Sequence, residues 1–321
     1  MRTLSGIQPS GDMHIGNYFG MMKRLIEFQK SDEVYAFIAN YHAMTSLSDG
    51  KSLSENTLSA AINFLSLGID PDKTVFWVQS DVPEVQELYW ILSNFTPMGL
   101  LERAHSYKDK TAKGIAANHG LFSYPVLMAA DILLFDTEVV PVGKDQIQHV
   151  EIARDIAIKF NNQYGDILKL PEFRVDEDVA TVPGIDGAKM SKSYGNTIEI
   201  FTTKKQLEKK AKQIVTDSTP LEDPKDYTTC NVYALAKLFL SDEELKDLQE
   251  RYRGGKEGYG HFKLYLADVI WKYYEPYREK REYYLQNIDE VRDILKEGAR
   301  KARVTAAKNM EAIREATGLA Y

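Results

Sequence analysis

A single cysteine, Cys230, occurs in the chain, so no internal disulfide can form and no cysteine-rich zinc or iron–sulfur site can be built from this chain alone. Such a composition suits a reducing compartment. No run of 18 apolar residues is present. The most apolar stretch, Tyr124–Phe135, is interrupted by Asp131, and no membrane span is expected. The opening residues, MRTLSGIQPSGD, lack the long apolar core of a signal peptide, and a cytoplasmic protein is the expectation. Internal repeats and low-complexity tracts are absent too. Positive charge is not in surplus: 40 Lys+Arg face 47 Asp+Glu, a net charge of −7, which excludes a broad basic coat for nucleic acid. The balance is uneven, however. Lys204–Met310 holds 22 basic and 19 acidic residues, leaving 18 against 28 elsewhere. Only this C-terminal third is suited to meeting a polyanion.

What is present is an ordinary globular composition, 44% hydrophobic over 321 residues, enough for a large core and about two domains. Residues 1–203 alternate strand-like and helix-like patches. Val34–Ala39 and Thr74–Gln79 are apolar runs of strand length, Arg2–Leu4 is strand-like, and Leu58, Ala61, Ile62 and Leu65 share one helical face. Strand, helix and strand in this order predict an α/β fold, a Rossmann-like doubly wound parallel sheet. Residues 176–196, rich in Gly, Asp, Ser and Lys, read as an exposed loop. Beyond about residue 203 the periodicity is helical over 204–215, 232–240, 241–252, 259–287 and 288–317. Ser241 and Glu244 form a capping-box signal, and Pro276 predicts a kink or a restart.

Two segments carry phosphate chemistry. Gly6–Asn17, GIQPSGDMHIGN, joins a strand-like start to a helical pattern. Its Gly, Pro and Ser residues let backbone N–H groups approach a ligand, and the helix start that follows favours an anion. His14 and Asn17 add side-chain donors. The second segment, Gly187–Asn196, reads GAKMSKSYGN; two lysines three apart in a loop can close over a triphosphate as point charges. Each alone has an ordinary structural reading, as a plain strand–helix loop or a solvated basic loop. In a third segment, Tyr124, Met128 and Asp131 fall at i, i+4 and i+7, on one helix face. An aspartate in an apolar stripe needs a partner or a ligand.

The pairing of His14-Ile-Gly-Asn17 with a complete Lys189-Met-Ser-Lys-Ser193 resembles the two signatures of class I aminoacyl-tRNA synthetases. The chain length resembles their small tryptophanyl/tyrosyl subclass, and Met128 followed by Asp131 is similar to the bacterial-type tryptophanyl family. The likeness extends to 140–155, Leu101-Glu-Arg103, Lys110, Gly165 and the start Leu4–Gly11, nearly the whole chain. It departs from the family at Leu4, where an aromatic residue often lines the indole pocket, and in a compact 182–187 loop. The resemblance implies that L-tryptophan is activated with ATP to the adenylate and then passed to the 3′ end of tRNA(Trp). By it, Gln8, Pro9, Ser10, Gly16 and Asn17 line the ATP site, with His14 near the phosphates. Gly143, Lys144 and Asp145 hold the adenosine part, and Val182 meets adenine through its backbone. Lys189 and Lys192 grip pyrophosphate within a loop shaped by Met190, Ser191 and Ser193, and Lys110 is a further phosphate contact. Tyr124 and Gln146 hold the substrate ammonium, Met128 packs on the indole, Asp131 accepts its N–H, and His42 borders the pocket. His149 reads as a structural hydrogen-bonding residue.

Magnesium is expected on the ATP phosphates, with no protein metal site and no iron–sulfur cluster. Residues 1–203 are expected as the catalytic domain and 204–310 as a helical anticodon-binding domain, with about 311–321 packing back on the first. A homodimer is implied, and no membrane partner. Three rivals remain open: a tyrosyl enzyme, which Met128 speaks against; another nucleotidyltransferase with the same first signature; and a binding-only paralogue, whose expected mark is damage to motifs that are here undamaged.

Overall fold

Five strands form the centre: β1 (Arg2–Ile7), β2 (Glu33–Ile38), β3 (Thr74–Val78), β4 (Val139–Pro141) and β5 (Glu172–Arg174). All pair in parallel, in the order β3-β2-β1-β4-β5, with Arg2 opposite Glu33, Val34 opposite Thr74 and Thr3 opposite Val139. The first three match the apolar runs of the sequence. β4 and β5, three residues each, are too short to leave a pattern. The structure, a computed structural model, describes residues 1–9, 11–104, 118–175 and 182–321.

Among the described residues the helices are α1 (Ile15–Asn17), α2 (Lys23–Phe28), α3 (Asn40–Ala43), α4 (Gly50–Leu67), α5 (Glu84–Ser93), α6 (Met98–Glu102), α7 (His119–Leu133) and α8 (Ile147–Tyr164). After residue 203 follow α9 (Lys204–Lys212), α10 (Asn231–Ala236), α11 (Asp242–Gly254), α12 (Tyr259–Tyr273), α13 (Glu275–Gln286) and α14 (Ile288–Thr317). The expected single helix over 259–287 is broken at Tyr274, and Pro276 sits in the first turn of the new helix, where its missing N–H costs nothing. Ser241 and Glu244 make the predicted reciprocal cap of α11.

Strand side chains alternate between two cores. Val34, Ala36, Ile38, Phe76 and Val78 face α4 and the helices of 204–286. Leu4, Tyr35, Phe37, Trp77 and Val140 face α5, α7 and α8. Burial on both faces is what a parallel sheet requires. The helices after residue 203 are tied to this frame by Arg281, whose Nε donates to Asn63 Oδ1 of α4 at 3.0 Å. Tyr18 adds a second tie: its hydroxyl lies 3.3 Å from that of Tyr273 and 3.2 Å from that of Tyr277, across the α12–α13 break. Tyr18 opens a π-helical turn, Tyr18–Met22, directly after α1.

The last helix joins the two cores. Val291 and Leu295 of α14 lie in the first, and Ala299, Ala302, Ala306, Met310 and Ile313 in the second. The helix therefore crosses the edge of the sheet, and it does so at Gly298. A β-carbon there would stand 1.7 Å from Phe76 O of β3. Tyr35 pairs with Thr305 Oγ1 at 3.0 Å, Asn309 donates to Leu134 O at 2.9 Å, and Arg303 and Arg314 pair with Glu84 and Glu87 of α5.

Gly298→Ala is expected to destabilise the protein by about 1–3 kcal/mol, the usual cost of overpacking, read as a lower urea midpoint at unchanged slope. Gly260→Ala in α12, with nothing within 4 Å of the added carbon, should leave the midpoint nearly unchanged.

Candidate active site

Chain order reverses between β1 and β4: β2 and β3 lie on one side of β1, β4 and β5 on the other. The crevice at the carboxyl ends of these two strands is where open α/β sheets bind ligands. β1 runs into 8–14, and β4 into Val142-Gly143 and the turn Lys144–Gln146. Gln8 is exposed and Pro9 buried, and Gly11 sits at φ +84°, a conformation that favours glycine. Gly143 and Lys144 are exposed and Gln146 is half-buried. Ser10, Lys110 and the Asp145 side chain lie outside the described residues.

The lysine segment is folded against the same crevice. Ile15 N donates to Ile198 O at 2.9 Å and Ile200 N to Met13 O at 3.0 Å, so residues 198–200 pair with residues 13–15 of the first signature. Residues 182–196 form a tight hairpin rather than a wholly exposed loop. Met190 N donates to Val182 O at 2.9 Å. Asn196, 2% exposed, donates to Asp186 Oδ1 and Lys189 O and accepts from Ser191 N. Val182 and Met190 are buried, whereas Lys189 and Ser193 are exposed; Lys192 is exposed along part of its length, with its ammonium turned toward Gly11. Ser191 Oγ caps the turn Lys192–Tyr194 through Ser193 N.

The two segments touch at Gly16 and Gly11. Gly16 N donates to Met190 Sδ at 3.3 Å, and a β-carbon on Gly16 would meet His14 Nδ1 at 3.0 Å. The Lys192 ammonium stands 3.9 Å from where a β-carbon on Gly11 would be. Burial between the loops lowers the Lys192 pKa, with Asp12 and Glu199 opposing. His14, 6% exposed, is held down to about 4 by burial and then by the Lys192 charge. It is thus neutral at pH 7, and its Nδ1 has no hydrogen-bond partner among the described residues. Asn17 turns inward: its Oδ1 accepts from His14 N at 3.1 Å.

The second set lies at the ends of β2 and β3. Tyr124, Met128 and Asp131 do share a face of α7, but the helix begins earlier than the sequence suggests, at His119. Asp131 is 2% exposed. Its carboxylate is not bare: His42 Nε2 lies 2.8 Å from Oδ2, and Gln79 Nε2 donates to Oδ1 at 2.8 Å and Oδ2 at 2.9 Å. Burial raises the Asp131 pKa, and His42 and Gln79 work against that rise. The Tyr124 hydroxyl meets His149 Nε2 at 2.8 Å. A cavity of about 310 Å³ opens beside His42 and Tyr124, walled also by Tyr41, Met44, Thr45 and Tyr89. Leu4 is buried in the second core. Gln79 went unread in the sequence; the one signal was a polar residue closing an apolar strand, at the level where His42 follows β2. Among the described residues, no group of three or more His, Cys, Asp and Glu is arranged to hold a metal.

The imidazole carbon proton of His14 should titrate by NMR with a midpoint near 4, and Lys192→Ala should move it upward toward 6.5. Because the unfolded state binds the proton more readily, His14 contributes stability that is present above pH 6.5 and lost as pH falls toward 4.

A family model described as tRNA synthetases class I (W and Y) matches residues 1–275. The tryptophan–tRNA ligase of Campylobacter jejuni (strain RM1221) is 63% identical over 319 residues, covering 99% of this chain and all of the relative. That of Fusobacterium nucleatum is 54% identical over 321 residues, covering 99% and 98%. A crystal structure of the Campylobacter jejuni tryptophanyl-tRNA synthetase complexed with ADP and tryptophan superposes with a TM-score of 0.97, 63% identity, and coverage of 99% and 100%.

Proposed function

We propose, from the premise that this chain belongs to the family of class I tRNA synthetases for tryptophan and tyrosine, that it is a bacterial-type tryptophan–tRNA ligase. It activates L-tryptophan with ATP, giving tryptophanyl-adenylate and pyrophosphate, and then transfers tryptophan to the 3′ end of tRNA(Trp). The observation that carries this reading is the union of the two signatures, with Met190 on the Gly16 N–H and Lys192 over Gly11, in a chain 63% identical to tryptophan–tRNA ligases over nearly its full length.

The first step is an in-line attack of the tryptophan carboxylate on the α-phosphorus, with pyrophosphate leaving. It asks the protein for positioning and for charge stabilisation. Gln8, Pro9, Ser10, Gly16 and Asn17 line the nucleotide, and neutral His14 offers a ring nitrogen near the phosphates. Gly143, Lys144 and Asp145 take the adenosine part, with the Val182 backbone at adenine. Lys189 and Lys192 take up charge on the leaving pyrophosphate, Met190, Ser191 and Ser193 shape their loop, and Lys110 adds a contact. Magnesium bound with the nucleotide would neutralise part of the triphosphate charge without needing a dedicated protein cage.

Tyr124 and Gln146 hold the substrate ammonium, His42 borders the pocket, Met128 packs on the indole and Asp131 accepts the indole N–H. Residues 204–310 read the anticodon, as their local positive balance favours, and residues 1–203 carry the chemistry. On the family pattern the enzyme is a homodimer in the cytoplasm, one tRNA bridging both subunits. No helix among the described residues is long and apolar enough to cross a membrane.

Amino-acid-dependent exchange of pyrophosphate into ATP tests the reading. Tryptophan should support exchange and tyrosine should not; exchange with tyrosine overturns the pocket assignment. Lys192→Ala should lower kcat for exchange on the order of 10²-fold with little change in KM for tryptophan, as expected of a group that meets charge developing in the transition state.

A further inference from the structure

We infer that Gln79 is a positioning residue for amino-acid choice: it holds the Asp131 carboxylate as an oriented acceptor for the indole N–H. The inference rests on the reading of Asp131 given above and adds a residue to it. Gln79 is 2% exposed and closes strand β3. Its side-chain oxygen accepts from Tyr41 N at 3.0 Å, and a backbone N–H there can face only an acceptor. That fixes the amide, so Nε2 points at Asp131, 2.8 Å from Oδ1 and 2.9 Å from Oδ2. The backbone of the next residue is braced as well: Ser80 N donates to Asn40 Oδ1 at 3.1 Å and Asn40 Nδ2 donates to Ser80 Oγ at 2.7 Å. The ends of β2 and β3 thus form one clamp, from which Gln79 reaches the Asp131 carboxylate.

The chemistry follows from lone pairs. An ionised carboxylate only accepts, and has about four lone-pair directions. Oδ2 meets both His42 and Gln79, while Oδ1, among the described residues, meets Gln79 alone. Oδ1 therefore keeps an accepting direction for a further donor, and the indole N–H is a donor with no acceptor role. A protonated carboxyl group would turn an O–H toward a neighbour and lose part of that capacity. In a site as buried as this one the neutral form is favoured unless donors hold the anion. Gln79 supplies such a donor with its direction already set by Tyr41.

The substitution Gln79→Glu keeps the shape and the Tyr41 bond, but sets an acceptor against an acceptor. A proton must then enter between the two carboxyl groups. The assay is pyrophosphate exchange by the full chain with tryptophan and with 3-(3-benzothienyl)alanine, in which sulfur replaces the indole N–H. The measured quantity is the ratio of the two kcat/KM values. Gln79→Glu is expected to lower that ratio at least tenfold, through a higher KM for tryptophan, with KM for ATP unchanged. Gln79→Met, of similar volume but without donor or charge, should do the same and serves if the first variant does not fold. Equal losses for both amino acids, or an unchanged ratio, would overturn the inference, because a packing role cannot distinguish N–H from sulfur. Asp131→Asn is run beside them. If it too leaves the ratio unchanged, the indole assignment itself is wrong. If it lowers the ratio while both Gln79 variants do not, the indole assignment stands and the role of Gln79 falls.

Discussion

Both faces of a parallel sheet must be covered, and only its strand ends can stay open to a ligand. That constraint organises the whole protein. Because β1, β2 and β3 bury alternate residues in two separate cores, helices occupy both faces, and chemistry is confined to the carboxyl edge. There the loops after β1 and β4 face one another across the reversal in strand order. The loop after β1 is steadied by backbone pairing with residues 198–200, which draws the second signature against the first. The sheet thus brings together two segments about 175 residues apart, the pair proposed to hold the nucleotide.

Charge is managed by the same geometry. The Lys189–Lys192 segment presents its cations on an exposed hairpin whose inner residues, Met190 and Asn196, are buried and hydrogen-bonded. Lysines can then face solvent and ligand while their backbone stays fixed. The set around Asp131 does the reverse. One carboxylate is taken deep into the core and stabilised by neutral or ring donors rather than by a lysine or arginine. A site built in this way discriminates by which partner is left unpaired, a stronger filter than the volume of an apolar pocket.

Much of this was legible in the sequence, for physical reasons that differ by element. β2 and β3 are doubly buried and therefore continuously apolar; α11 and the α12–α13 break announce themselves by a cap and a proline. The two phosphate-facing segments stand out because glycine, lysine and histidine occur where a core needs none of them. β4 and β5 left no trace, since three residues carry no period. The inward turn of residues 182–196 was hidden because its polar composition reads as solvated, while its polar groups in fact bond to each other through Asn196. Gln79 was missed because a lone glutamine at a strand end has meaning only once Tyr41 and Asp131 are beside it. The crossing of α14 at Gly298 was likewise invisible: one glycine in a good helical period gives no hint of the carbonyl it must pass.

That crossing bears on how the protein comes into being on the ribosome. The outer edge of β3 is sealed by a helix whose contact residue is made roughly 220 residues after Phe76, at synthesis rates of about 5–20 residues per second. For that interval, on the order of ten seconds or more, the nascent sheet carries an uncovered strand edge, the kind of surface on which chains pair with one another. The sheet-bearing half can therefore collapse early but close only late, and premature termination between Ser193 and Gly298 leaves a fragment with both signatures present and its sheet unprotected.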